Sequence, residues 1–156
     1  MAKVIVVYDS PTGLTEIMAK AIVDGARSVE GVDVELLQIG ERFSIRRLES
    51  ADAIVFGSPN IYNSVTPAMK SFFENLNEIK DYLRLSRKIG GAFESYGWDK
   101  GQVINKINSY LESFDMTIVT SPLSIAHKTV AEPYIDEKSI QQCKDFGRTI
   151  AEQVAK

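Results

Sequence analysis

Apolar residues run without a break through some stretches of the chain and recur every three or four positions through others. The unbroken runs occupy residues 3–8, in which only the first residue, Lys3, is polar, and residues 53–56 and 89–93. Such runs are typical of strands buried on both faces of a parallel sheet. Residues 32–36 alternate between apolar and charged side chains, which predicts an edge strand with one exposed face. A fifth strand is expected at 117–121, and the apolar residues up to 125 allow an extension.

Helical periodicity fills the segments between the predicted strands. Three apolar stripes are formed by Leu14, Ile17, Met18, Ala21, Ile22 and Gly25, by Val103, Ile107, Tyr110, Leu111 and Phe114, and by Ile140, Cys143, Gly147, Ile150 and Val154. Asp136 is the predicted N-cap of the last of these helices. A denser apolar helix is expected at 68–76, directly after Pro67, and a short helix near 44–50.

The alternation of strands and helices predicts the fold class. It indicates an α/β three-layer sandwich in which helices cover both faces of a five-stranded parallel sheet. Because the second strand is amphipathic and the first and third are wholly apolar, the expected strand order is 2-1-3-4-5. In that order ligands bind above the carboxyl ends of strands one and three. The chain has no repeat and no linker, so we expect a single domain over residues 1–156.

Composition and charge narrow the function. The chain has 156 residues, a net charge of −3, one cysteine and one histidine. Cys143 alone forms no internal disulfide, and His127 alone is too little for an imidazole metal site, so no metal is expected. The negative charge argues against a nucleic-acid partner. No apolar run approaches the roughly 20 residues of a membrane span, and no signal-peptide pattern is present. We therefore expect a cytoplasmic protein that does not contact membranes.

The loop between the first strand and the first helix is the first candidate site. Its sequence is Ser10-Pro11-Thr12-Gly13-Leu14-Thr15. Ser10, Thr12 and Thr15 offer hydroxyls, Gly13 permits close approach, and a helix N-terminus favours an anion. The nearest lysine is Lys20, and neither a Gly-Lys-Ser/Thr motif nor a three-glycine dinucleotide fingerprint occurs. An ordinary N-cap region is the alternative. At the expected ligand edge of this sheet we favour a phosphate site.

A long polar loop follows the third strand. It contains Pro59, Asn60, Ile61, Tyr62, Asn63 and Ser64. Proline and short amides suit a loop that presents backbone groups to the edge of a heterocycle. Tyr62 is expected to lie against a flat ring, although an ordinary turn with a surface tyrosine is the alternative.

An aromatic loop follows the fourth strand. It contains Ser95, Tyr96, Gly97 and the single tryptophan, Trp98. Polar neighbours argue against burial of these aromatic side chains. An aromatic shelf beside a phosphate site predicts a planar ligand with a phosphate tail. Asp99 is expected to cap the following helix, with Gln102 as its partner in a capping box.

The three loops together resemble those of a known family. Ser-x-Thr-Gly-x-Thr at positions 10–15 is similar to the phosphate loop of flavodoxins. Gly57-Ser58-Pro59 and Ser95-Tyr96-Gly97-Trp98 resemble more specifically the FMN-binding domain of flavodiiron proteins, here as a stand-alone flavodoxin. The similarity covers nearly the whole chain, and the Ser-Tyr-Gly-Trp sequence is its most specific element.

The resemblance implies a flavodoxin-like fold with FMN as the cofactor. It implies that the isoalloxazine lies between residues 59–64 and residues 95–98, with Trp98 shielding one side. The residues that this resemblance assigns to the phosphate are Ser10, Thr12, Gly13, Leu14 and Thr15.

Some residues depart from the family pattern. Flavodiiron proteins carry a second domain whose histidines and carboxylates bind two irons. With only His127 present, reduction of oxygen or nitric oxide by this chain alone is not expected. Glu94 stands where the family commonly has a small residue, and Leu14 where a polar one is common. A carboxylate near the flavin is predicted to disfavour its anionic reduced form and lower that potential.

The sequence features are compatible with more than one function. The preferred one is an FMN electron carrier without catalytic residues, a monomer or homodimer that shuttles electrons between a reductase and an iron-containing or other acceptor protein. The alternative is an FMN-dependent NAD(P)H:quinone or flavin reductase. A flavin-free receiver domain is disfavoured, because strand three ends in Gly-Ser-Pro instead of an aspartate.

Overall fold

A computed structural model describes residues 1–11, 13–126 and 135–155 of the chain. Its strands are β1 (Ala2–Tyr8), β2 (Val32–Gln38), β3 (Ala53–Pro59), β4 (Ile89–Tyr96), β5 (Thr117–Ile118) and β6 (Leu123–Ala126). They form one sheet of order β2-β1-β3-β4-β5, with β6 also paired to β4, and every pairing is parallel. The predicted fold class and strand order are confirmed.

The expected fifth strand is divided into β5 and β6, which follow each other along the same edge of β4. Ile89 pairs with Thr117, and Phe93 pairs with Leu123. Phe93 is four residues after Ile89 on β4, whereas Leu123 is six residues after Thr117 on the neighbouring segment. The two extra residues of that segment interrupt the pairing. Pro122 lies in this interruption and has no N–H to donate to a ladder. The predicted extension toward 125 is real, but it is a separate strand.

The helices are α1 (Leu14–Arg27), α2 (Pro67–Ile79), α3 (Gln102–Ser113) and α4 (Glu137–Ala155). The short helix expected near 44–50 is a 3₁₀ helix, Ile45–Ser50, and a second short 3₁₀ helix, Lys80–Tyr82, follows α2. Helices α1 and α4 cover one face of the sheet, and α2 and α3 cover the other, with a separate apolar core on each side. The predicted N-cap of α4 is confirmed, because Ser139 N donates to Asp136 Oδ1 at 2.8 Å.

Two glycines allow α1 and α4 to pack at backbone distance. A Cβ on Gly25 would lie 1.9 Å from the Lys144 carbonyl oxygen, and one on Gly147 would lie 2.0 Å from the Ile22 carbonyl oxygen. Both glycines belong to the apolar stripes that the sequence predicts. Cys143, on the same side of α4, is fully buried, and burial raises the pKa of its thiol to about 12.

The strand order determines where a ligand can bind. β1 and β3 are neighbours whose chains continue to opposite faces of the sheet, so a crevice opens beyond their carboxyl ends. The loops that follow β1, β3 and β4 all start at this edge. Within the described ranges, none of the helices has the length and apolar character needed to cross a membrane.

Candidate functional site

The first loop carries the chain from the end of β1 to the start of α1. Gly13 is the N-cap residue of α1 and adopts a φ of 95°, a left-handed conformation that glycine accommodates without steric cost. Ser10 Oγ accepts hydrogen bonds from Gly13 N at 3.1 Å and from Glu16 N at 3.0 Å. The first N–H groups of a helix have no partner within it, so those of Leu14 and Thr15 remain available to an anion. Thr12 lies outside the described residues.

The charged groups beside this loop are engaged with one another. Glu16 Oε1 lies 3.4 Å from Lys20 Nζ and accepts a hydrogen bond from the Tyr8 hydroxyl at 3.2 Å. Burial, followed by the neighbouring Glu16 carboxylate, raises the pKa of Tyr8 to about 12, so its phenol stays protonated and donates. An anion at this loop would therefore be stabilised by N–H groups, hydroxyls and the helix dipole instead of a lysine.

The second loop ends in a tight turn that presents a tyrosine to solvent. Ile61 N donates to Ser64 O at 2.9 Å and Ser64 N donates to Ile61 O at 3.1 Å. The two residues between them, Tyr62 and Asn63, have φ values of 49° and 63°. Two successive positive φ angles are typical of the two-residue turn of a β-hairpin. The Tyr62 side chain is 99% exposed, although it is large and aromatic.

The third loop presents the tryptophan in a similar way. The Trp98 side chain is 97% exposed. The position before it, Gly97, has open space where a side chain would be, with no atom within 4 Å of a Cβ built there. Large aromatic side chains are usually well buried, so two nearly fully exposed ones on adjacent loops mark a surface available for contact.

The helix cap predicted at Asp99 is wrong. The N-cap residue of α3 is Gly101, with a φ of 97° and no side-chain cap. The capping acceptor is instead Glu94, a fully buried residue of β4 whose carboxylate accepts from the N–H groups of Gly101, Val103 and Ile104. A local capping pattern does not reveal this contact, because Glu94 belongs to the preceding strand and lies seven residues before Gly101.

The same geometry gives Glu94 a capping role that its sequence position does not reveal. Its carboxylate oxygens face the amides at the start of α3 and the hydroxyl of Ser124. Glu94 is absent from the residues that line the cleft between the two exposed aromatic side chains. The carboxylate therefore lies at the positive end of the α3 dipole, where a negative charge is favoured. Its effect on the reduction potential of a bound flavin stays a prediction.

Hydrogen bonds tie the three loops together. Thr15 Oγ1 lies 3.0 Å from Ser95 Oγ, which joins the first loop to the third. Asn60 N donates to Ser95 O at 2.9 Å, and Asn60 Nδ2 donates to Asp99 O at 3.0 Å. Asn60 Oδ1 accepts from Asn63 N at 2.7 Å, which supports the turn that carries the tyrosine. Ser95 and Asn60 therefore shape the site by holding its loops.

The second and third loops border an open cleft of about 550 Å³. Its lining residues are Asn60, Ile61, Tyr62, Asn63, Gly97, Trp98 and Asp99. Six of these seven were predicted from the sequence, and Asp99 was considered only as a helix cap. The predicted residues Pro59 and Ser95 are buried behind the cleft. His127, the single histidine, lies outside the described residues.

The donor set of these loops fits one kind of ligand. A wall of aromatic side chains and amides suits a flat ring, and a helix N-terminus with a serine hydroxyl suits a phosphate. Within residues 1–11, 13–126 and 135–155, no group of three or more His, Cys, Asp or Glu side chains is arranged to hold a metal ion. The arrangement can therefore bind and orient a planar phosphate ester.

Comparison with known proteins agrees with this geometry. Residues 2–130 match the sequence model of a family described as NADPH-dependent FMN reductase. A flavodoxin from Aquifex aeolicus (strain VF5) is 33% identical, and the match covers 99% of this chain and 88% of that protein. The solved structure of a flavodoxin from the domain Archaea has a TM-score of 0.84 at 34% identity and covers 99% of both chains.

The flavodiiron resemblance is also found among solved structures. The flavodiiron protein from Giardia intestinalis has a TM-score of 0.80 at 22% identity, and the match covers 98% of this chain but 36% of that protein. Identity at this level shows a shared fold. The flavodiiron likeness is thus confirmed for the fold, and membership of the flavodoxin-like family rests on the family model and the flavodoxin relative.

Proposed function

This chain belongs to the flavodoxin-like family described as NADPH-dependent FMN reductase, and from that premise we propose that it is an FMN-binding electron carrier. FMN supplies one- and two-electron transfer when it is bound. The protein's own residues would bind the cofactor, orient it and leave part of it accessible to partner proteins.

The phosphate of FMN would be held by the first loop. Gly13 permits close approach, Ser10 contributes its hydroxyl, and the N–H groups of Leu14 and Thr15 point out of the helix start. We assign Thr12 to the same group on the sequence motif alone. Because these groups are uncharged, the phosphate would be bound by hydrogen bonds and the α1 dipole.

The flavin ring would be held by the second and third loops. The observation that carries this assignment is the near-complete exposure of Tyr62 and Trp98, at 99% and 97%, on two loops that Asn60 joins. Exposed aromatic side chains at a cleft favour a planar ligand. The residues assigned to the ring site, directly or as its support, are Pro59, Asn60, Ile61, Tyr62, Asn63, Ser64, Ser95, Tyr96, Gly97 and Trp98.

Electron transfer between proteins requires no acid, base or nucleophile from the chain. The described residues that line the cleft include one carboxylate, Asp99, and no lysine, histidine or cysteine. We therefore propose no catalytic residue. The partners would be a reductase as donor and an iron-containing or other redox protein as acceptor. We further propose a monomer or homodimer that works in the cytoplasm, where a single cysteine stays reduced.

The test is anaerobic reduction of the purified, FMN-reconstituted protein in measured steps, followed by visible spectroscopy. A carrier is expected to take up one FMN per chain and to be reduced in two resolved one-electron steps. It should show no steady NADPH oxidation when a quinone is added. A protein that stays colourless after incubation with FMN would overturn the proposal.

The second candidate is an FMN-dependent NAD(P)H:quinone or flavin reductase, which the description of the matching family favours. This enzyme would bind FMN on the same loops and accept hydride from a nicotinamide. Sustained NADPH oxidation at a rate that saturates with added quinone or free flavin would support it. The full-length similarity to a flavodoxin supports the carrier instead.

A further inference from the structure

The carboxylate of Glu94 is the meeting point of four hydrogen bonds inside the protein. One oxygen, Oε2, accepts from Gly101 N at 2.7 Å and from Ser124 Oγ at 2.8 Å. The other, Oε1, accepts from Val103 N at 3.1 Å and from Ile104 N at 3.2 Å. The side chain has no solvent exposure. The four donors come from the third loop, the start of α3 and β6.

This carboxylate closes the loop that carries Trp98. The loop leaves β4 after Tyr96 and enters α3 at Gln102, so the bond from Gly101 to Glu94 brings its far end back onto the strand from which it departs. The left-handed conformation of Gly101, with a φ of 97°, makes this reversal of direction. The middle of the loop is held from the other side by the bond from Asn60 to Asp99.

The position of Trp98 depends on this backbone support. At 97% exposure, its indole has little protein surface against which to pack. An exposed side chain is placed by the backbone that bears it, so the shape of residues 97–101 decides whether the indole borders the cleft. Glu94 and Asn60 are the described side chains that bond to this stretch.

We propose that Glu94 is a positioning residue that holds the aromatic loop in the shape that binds the flavin ring, without touching the ring itself. The inference rests on the proposed function and adds a residue that acts through Trp98. If the loop adopts its binding shape for only part of the time, the apparent dissociation constant rises in inverse proportion to that fraction.

Glu94→Gln tests the inference sharply. An amide has one acceptor oxygen in place of two, so in either orientation its NH₂ faces N–H groups from which the carboxylate accepts, that of Gly101 or those of Val103 and Ile104. The variant therefore loses either the bond that attaches Gly101 to β4 or the bonds at the start of α3 directly after it, and in both cases the end of the loop is released. Ser124→Ala is a milder second variant, because it removes one donor and leaves the carboxylate. Glu112→Gln is the matched control, since Glu112 is exposed on α3 and loses the same charge.

Two measurements are made on each variant. The first is the dissociation constant for FMN, and the second is the fluorescence anisotropy of the apoprotein, in which Trp98 is the single tryptophan. Glu94→Gln is expected to raise the dissociation constant by about fivefold or more, as the loss of a hydrogen bond of about 1 kcal/mol implies, and to lower the anisotropy. Ser124→Ala should act in the same direction but less, and Glu112→Gln should match the wild type.

The outcomes separate the inference from the proposed function. Wild-type protein that binds no FMN overturns the function, whereas apoprotein anisotropy still reports on the loop. Glu94→Gln protein that binds FMN like the wild type and keeps its anisotropy overturns the positioning role, even if it unfolds more easily. If Glu94→Gln fails to fold, wild-type affinity and anisotropy in Ser124→Ala would overturn the role.

Discussion

The hydroxyls of Thr15 and Ser95 lie 3.0 Å apart, although 80 positions separate the two residues in the sequence. Both side chains are fully buried. The bond connects the start of α1, where a phosphate would bind, to the end of β4, from which the aromatic loop departs. The two parts of the candidate site are thereby joined through the interior of the protein as well as through its surface loops.

Removing one member of this pair is expected to destabilise the protein. Thr15→Val or Ser95→Ala leaves the other hydroxyl buried without its partner, which costs about 1–3 kcal/mol. The double variant leaves no unpaired hydroxyl, so its loss should be smaller than the sum of the two single losses. Urea unfolding of the four proteins measures this directly. Strictly additive losses would show that the two hydroxyls do not interact.

Replacing the exposed aromatic residues should affect FMN binding but not folding. Tyr62→Ala and Trp98→Ala each remove a side chain that is more than nine-tenths exposed, so the free energy of unfolding should change by less than about 0.5 kcal/mol. Aromatic stacking of about 1–3 kcal/mol predicts that the FMN dissociation constant rises by about fivefold to 150-fold. Isothermal titration calorimetry, at a temperature well below unfolding, gives the FMN dissociation constant of each of the two variants.

Tyr82 provides the matched control for these two variants. It is 75% exposed and belongs to the 3₁₀ helix after α2, outside the cleft. Tyr82→Ala should leave FMN binding as it is in the wild type. An equal loss of affinity in Tyr82→Ala and Trp98→Ala would contradict the assignment of the ring site.

Gly147→Ala should destabilise the protein through the contact between α1 and α4. The added methyl group would lie 2.0 Å from the carbonyl oxygen of Ile22, so the two helices must separate. Overpacking of this kind costs about 1–3 kcal/mol. Because the methyl group would meet the backbone of α1 and not a movable side chain, we expect the cost of Gly147→Ala to lie at the upper end of that range. Thr149→Ala, on the exposed side of the same helix, is the control. Thermal unfolding should distinguish them, and equal midpoints would refute the close contact.

Stability should fall at alkaline pH because of Cys143. Burial raises the pKa of its thiol from 9.0 to about 12, so above pH 9 the unfolded chain loses this proton while the folded protein retains it. The folded state then binds more protons than the unfolded state, and the free energy of unfolding decreases as pH rises. The expected loss from this group between pH 8 and pH 10 is about 1 kcal/mol.

Urea unfolding of the wild type and Cys143→Ala at several pH values measures this contribution. The variant is expected to be less stable at every pH, because it leaves a small cavity, but to lose less stability between pH 8 and pH 10. Tyr8, whose pKa is also raised to about 12, contributes a loss of the same sign at higher pH in both proteins. Parallel pH profiles for the two proteins would argue against a buried thiol.

Much of the fold could be predicted because the relevant patterns are local. The apolar run at the start of the chain forms β1, which lies inside the sheet and is buried on both faces. The run that alternates between apolar and charged residues forms the edge strand β2. The division of the last strand could not be predicted, because it depends on register against β4. In the same way, the cap of α3 comes from Glu94, a residue of the preceding strand and not of the loop next to the helix.

The sequence by itself determined the alternation of elements, the strand order and the loops that form the candidate site, since hydrophobic periodicity and turn residues act over short distances. Only the tertiary structure decided what individual polar side chains do there. Ser95, Asn60 and Glu94 lie within two residues of Tyr62 or Tyr96 in sequence, yet their polar groups bond to other loops and to a helix N-terminus. A buried polar group must form a hydrogen bond, and its partner is whichever donor or acceptor lies within reach in the folded chain, however far away it is in the sequence.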